Sequence, residues 1–150
     1  MKEIKIFIGT GFYSGYFPFA PGTFGSIVAL VIFLVPGFEN IYVIIPAILL
    51  SILIGVPIGN YFEKLYGKDP GIFVLDEFIG TWITFLFVPK NWVILLLGFI
   101  LWRVLDITKP FPAKRAEELN GGIGIIVDDI VSGVYSLIII HIFITLFNFS

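Results

Sequence analysis

From Ile41 to Gly59 the chain runs without a charged residue, and from Ile130 to Phe147 its one strongly polar side chain is His141. Each run is close to the roughly 20 residues with which a helix crosses a hydrocarbon core. Backbone in lipid must satisfy its own hydrogen bonds, and an uninterrupted apolar run of this length does so as a helix. Composition agrees: charged residues are 13% of the chain and mean hydropathy is +1.04, against about 25% charged in soluble domains. The expected fold is all-α, a polytopic transmembrane bundle of about five helices, some short or re-entrant. At 150 residues it is read as one domain, 1–150, with no soluble module.

Five spans can be drawn: Phe24 to Phe38, Ile41 to Gly59, Ile72 to Val88, Trp92 to Asp106, and Ile123 to Phe147. Pro46 and Pro57 are expected to kink the second. The first, third and fourth are short enough to be re-entrant. With the amino terminus inside, Lys2, Lys5, Lys64, Lys68, Lys109, Lys114 and Arg115 fall on the cytoplasmic side and only Lys90 outside, as the positive-inside bias prefers. Residues 1–20 lack a continuous apolar core and are expected to be retained. There is no cysteine, which excludes disulfides and thiolate metal sites. Net charge is −2 with no basic tract, so no nucleic-acid partner is expected. The sequence leaves the oligomeric state open.

In that orientation four separated segments reach one rim, and the ionisable groups that membrane segments rarely tolerate collect there. Pro21-Gly22-Thr23-Phe24-Gly25-Ser26 opens the first span, where Thr or Ser can cap the helix and free N–H groups attract phosphate. Asp76 and Glu77 lie in the third span; Asp76, Gly80 and Thr84 share a helical row, which turns the carboxylates into the bundle. Arg103, Asp106 and Lys109 follow at i, i+3 and i+6 before Pro110 stops the helix. Gly121-Gly122-Ile123-Gly124 then leads to Asp128-Asp129, neighbours whose repulsion requires either a proton or a shared cation. Oxygen-only donors favour Mg²⁺. His141 lies about 18 Å along the helix from Asp129 and reads as an interhelical hydrogen-bonding residue. These parts suit metal-assisted chemistry on a lipid-borne phosphate.

The segments at 21–26, 76–80, 103–112 and 121–129, in that order and spacing, resemble the phosphatidylglycerophosphatase A family. The first 20 residues and the region from Ile41 to Lys68 match it only in hydrophobic character. The resemblance implies a Mg²⁺-dependent phosphatase of the bacterial cytoplasmic membrane, multi-pass with its active site facing the cytoplasm, that converts phosphatidylglycerophosphate to phosphatidylglycerol and phosphate. On the residues themselves, Asp76, Asp128 and Asp129 are expected to hold Mg²⁺, with Glu77 a further ligand or the base that activates water. Asp106 binds metal or orients Arg103. Arg103 and Lys109 neutralise phosphate oxygens, while Gly22, Thr23 and Ser26 cradle them. The nucleophile is either water or an aspartate. A different class of function, an ion or proton conductor using the same carboxylates, predicts acids strung through the membrane depth.

Overall fold

Proline and glycine cut the apolar sequence into short pieces. The computed structural model describes residues 2–116 and 118–148 and contains, among them, seven α-helices and no strand. They are α1 (Lys2–Gly9), α2 (Pro21–Leu34), α3 (Ile41–Tyr66), α4 (Leu75–Thr84), α5 (Trp92–Thr108), α6 (Ala113–Ala116) and α7 (Gly122–Phe147). The all-α expectation therefore holds.

Among the described residues, only α3 and α7, 26 residues each, are by length and composition long and apolar enough to cross a membrane. At 1.5 Å per residue each measures about 39 Å, more than the roughly 30 Å hydrocarbon core. α3 is helical through both Pro46 and Pro57 and continues beyond Gly59 to Tyr66. α2 and α5, of 14 and 17 residues, are shorter.

The third span drawn from sequence, Ile72 to Val88, is corrected by the structure. The helix there covers only Leu75–Thr84, about 15 Å. The Pro70-Gly71 turn and a non-helical Val74 delay its start, and left-handed Phe87 followed by Pro89 prevents its continuation. All ten residues of α4 are buried. It is the central helix, touched by α2, α3, α5 and α7. Small residues permit this: a Cβ on Gly80 would strike the Trp102 ring, and one on Gly133 of α7 would lie 2.8 Å from the Gly80 carbonyl oxygen. Phe33, Phe78, Ile79 and Trp82 complete the apolar packing around it.

The helices alternate in direction. Asn60, late in α3, accepts the Gly122 N–H at the start of α7 (2.8 Å). At the opposite end Lys90 donates to the Val35 carbonyl (2.8 Å) and to Glu39 (2.6 Å). The starts of α2, α4 and α7 and the ends of α3 and α5 thus meet at one end of the bundle. His141 was expected to bond between helices; it bonds instead to the turn after α4, its Nε2 lying 3.0 Å from the Leu86 carbonyl oxygen.

Candidate functional site

Three helices begin at this end without a side-chain cap, at Ala20, Val74 and Gly121. The expected Thr or Ser cap on α2 is not formed. Ala20 holds the cap position in a left-handed conformation (φ 49°) and Pro21 follows at N1, where its fixed φ suits the first turn and its missing N–H costs nothing. The next amides, of Gly22 and Thr23, have no acceptor within the helix. No larger residue fits at Gly22, because a Cβ would collide with Glu77 Oε1 and lie 3.3 Å from Arg103 Nη2.

Beside this helix start lies a cavity of about 230 Å³. Pro21 and Gly22 of α2, Asp69, Gly71 and Phe73 of the α3–α4 connection, Asp76 and Glu77 of α4, Arg103, Asp106, Ile107 and Lys109 from the end of α5, and Asp128 and Asp129 of α7 line it. Six carboxylates therefore face two cations. Both aspartates at the start of α7 are buried, with Asp128 2% and Asp129 4% exposed.

The charged groups divide into two sets. In the first, one oxygen each of Glu77, Asp106 and Asp129 lie within 4.8 Å of one another. Arg103 Nη1 donates to Glu77 Oε2 and to Ser26 Oγ at 3.2 Å, and lies 3.0 Å from Asp106 Oδ2 as an ion pair. The Ser26 hydroxyl donates to Glu77 Oε2 (2.8 Å) and accepts from Trp102 Nε1 (3.2 Å). In the second set, Lys109 Nζ lies 2.6 Å from Asp128 Oδ2 and 3.6 Å from Asp69 Oδ2. Asp76 stands beside both, its Oδ1 accepting the Glu77 N–H (2.9 Å).

Two oxygens in this cavity, Asp128 Oδ1 and Asp129 Oδ2, are buried without a hydrogen-bond partner. An orphaned carboxylate oxygen costs several kcal/mol if it stays ionised in a water-poor site. The donors are all hard oxygens, three of them close enough to share one ion. Glu77, Asp106 and Asp129 could therefore hold a metal ion of the oxygen-preferring kind.

Of the residues singled out in the sequence, Gly22, Asp76, Glu77, Arg103, Asp106, Lys109, Asp128 and Asp129 all line the cavity. Ser26 stands behind it as a fully buried brace. Thr23 is not among the lining residues. The adjacent pair Asp128-Asp129 does not act as one unit, since Asp128 faces Lys109 while Asp129 faces Glu77 and Asp106. Sequence reasoning passed over Asp69 and Trp102. Asp69 sits in the Lys-Asp-Pro-Gly connector between α3 and α4, and its left-handed backbone (φ 45°) is visible only in the structure. Trp102 is completely buried and donates to Ser26 Oγ.

Residues 7–144 match the family model described as Phosphatidylglycerophosphatase A. A protein from Bacteroides thetaiotaomicron named as a putative phosphatidylinositol-3-phosphatase is 38% identical over 93% of this chain and 92% of its own length. Phosphatidylglycerophosphatase A of Escherichia coli is 39% identical over 89% of this chain and 80% of its own, and that of Haemophilus influenzae 34% over 89% and 84%. No solved structure matches the chain.

Proposed function

Because the chain belongs to the phosphatidylglycerophosphatase A family, and is thus a phosphatase, we propose that it hydrolyses phosphatidylglycerophosphate to phosphatidylglycerol and inorganic phosphate. The reading includes Mg²⁺ dependence and a site at the cytoplasmic face of a bacterial inner membrane, which the chain crosses several times. What carries it is the meeting of a carboxylate triad, two cations and the uncapped start of α2 around one small cavity.

Glu77, Asp106 and Asp129 would hold Mg²⁺, which when bound supplies Lewis-acid neutralisation of phosphoryl charge. The sequence-based set had Asp76 and Asp128 among the ligands. Geometry favours Asp106 in their stead, because Asp128 already pairs with Lys109 and Asp76 lies outside the triad. Lys109 and the free amides of Gly22 and Thr23 bind phosphate oxygens as a point charge and a helix-dipole cradle. Arg103 and Ser26 fix the direction of Glu77 and, with Asp106, keep the acidic wall in register. Asp76 is the base: with Oδ1 held by the Glu77 amide, its other oxygen takes the proton of the attacking water as the water oxygen bonds to phosphorus and the bond to the glycerol oxygen breaks. The departing glycerol oxygen takes the proton that Asp76 received, which restores the Asp76 carboxylate.

Membrane placement is supported by charge and aromatic position. Lys5 lies 4.8 Å over the Tyr61 ring, and Lys64, Lys68, Lys114 and Arg115 share the site end, whereas Lys90 is at the other. That far end exposes Tyr42 (85%) and Trp92 (74%), residue types that settle at headgroup level. The acids collect at one end rather than along the bundle, which disfavours a conductor. In the absence of native cysteine, Lys68→Cys should resist a membrane-impermeant thiol reagent in intact cells while Lys90→Cys reacts; the reverse pattern overturns the orientation.

The decisive assay is phosphate release from phosphatidylglycerophosphate by the purified protein in detergent, with Mg²⁺, after EDTA, and after Mg²⁺ is restored. Release that ignores EDTA removes the metal, and no release from this lipid removes the substrate. Preference for phosphatidylinositol 3-phosphate, the substrate class in the name of the Bacteroides relative, would move the headgroup assignment but keep the chemistry.

A further inference from the structure

α2 and α5 run antiparallel on either side of α4, with side-chain links at both ends. Gly22 at the start of α2 approaches Arg103 near the end of α5, and Lys90, just before α5, donates to Val35, just past α2. Ser26 shows which flank of α2 faces α5, since its oxygen meets Trp102 Nε1 and Arg103 Nη1, both at 3.2 Å. Beside Ser26 on that flank run Ile27, Leu30 and Leu34, with Thr23 continuing the row at the site end. On α5 the row is Leu96, Ile100 and Ile107, with Arg103 set into it. Both rows follow i, i+4, i+7, i+11 spacing, which keeps residues on one helical face. Five of these six aliphatic side chains are exposed, and Leu30 is half-buried.

Other helices also expose aliphatic residues, such as Ile138 on α7 and Leu53 on α3. Neither lines the cavity, whereas Ile107, 70% exposed, does. The α5 row is therefore continuous with the site, running from Leu96 to the cavity mouth over about 16 Å. Its single polar member turns inward to Glu77 and Asp106.

We infer that the paired rows on α2 and α5 are the berth for an acyl chain of the lipid substrate, which reaches the cavity sideways from the bilayer past Ile107. This rests on the lipid phosphatase reading above. The apolar rows cover the chain as far as Ile107 at the cavity mouth, and the phosphomonoester turns inward there.

The test uses a phosphatidylglycerophosphate analogue with a diazirine on one acyl chain, photolysed with the whole protein in mixed micelles. Labelled peptides should come from α2 and α5, and labelling should fall when unlabelled substrate is added but not when phosphatidylcholine is. Label spread evenly over α3 and α7, or indifferent to the competitor, overturns the berth. In parallel, Ile100→Trp should lower the preference for long-chain over dihexanoyl substrate by about 10-fold, while Ile138→Trp on α7 leaves it unchanged; an unaltered ratio in Ile100→Trp also overturns it. If the unaltered protein releases phosphate from neither substrate, the phosphatase reading fails, and the labelling pattern, which needs no turnover, still decides the berth.

Discussion

The two ends of the bundle begin their helices in different ways. At the far end, Asn40 and Asn91 cap α3 and α5, each side chain accepting the amide two residues on, from Tyr42 and Val93. At the site end, α2, α4 and α7 start with no side-chain cap of their own. Charge follows the same division. Lys90 and Glu39 pair openly at the far surface, whereas the site end gathers six carboxylates and two cations around one cavity and leaves two buried oxygens without a partner. One end closes its own polar groups, as a structural end should. The other holds donors and acceptors ready for something not part of the chain.

The largest effect should follow Asp129→Asn, which removes a charge the fold itself does not satisfy. Phosphate release should fall more than about 100-fold, beyond what loss of an outer-shell partner costs, while thermal stability is kept or raised. A destabilised but active variant would show that Asp129 serves the fold rather than the site. Arg103→Ala comes next, with loss of activity and of about 3 kcal/mol of stability, because Glu77 and Asp106 are left buried and unpaired; denaturation in detergent measures it, and Arg103→Lys should recover only part, since one ammonium lacks the guanidinium fork.

Lys109→Ala should act mainly on binding. A charge-assisted hydrogen bond of about 1.5–3 kcal/mol corresponds to a rise of about 10-fold or more in KM, and an unchanged KM removes Lys109 from the phosphate subsite. The smallest effect belongs to the far end. Asn91→Ala should cost about 1 kcal/mol for a lost cap and leave kcat and KM as they were. If it impaired catalysis as Lys109→Ala does, the two ends would not be separable.

Much of the site could be read before the fold was known, because membrane-grade sequence carries so few ionisable residues that each stands out. Asp76, Glu77, Arg103, Asp106, Lys109, Asp128 and Asp129 were visible on that ground, Gly22 through the Pro-Gly-Thr helix start, and all line one cavity. Residues that depend on three-dimensional neighbours were misread. Thr23 looked like a cap and is not one, because Pro21 had already started the helix. Asp69 was not singled out at all, and it lies beside Lys109. The partition of the acids was also hidden, since which aspartate faces Lys109 and which faces Glu77 and Asp106 depends on the rotation of α7 against its neighbours.

Sequence alone determined the class of the fold and marked the ionisable residues at one end of it: apolar runs of bilayer length must become helices, and carboxylates kept among them need a partner or a use. Only the tertiary structure decided that the third hydrophobic run is a ten-residue helix buried at the centre rather than a span, and that Glu77, Asp106 and Asp129 form the close triad. Hydrophobicity records how much water a segment avoids, not what replaces the water. Whether Leu75–Thr84 meets lipid or four other helices depends on contacts between Gly80, Gly133 and Trp102, which lie far apart in the chain.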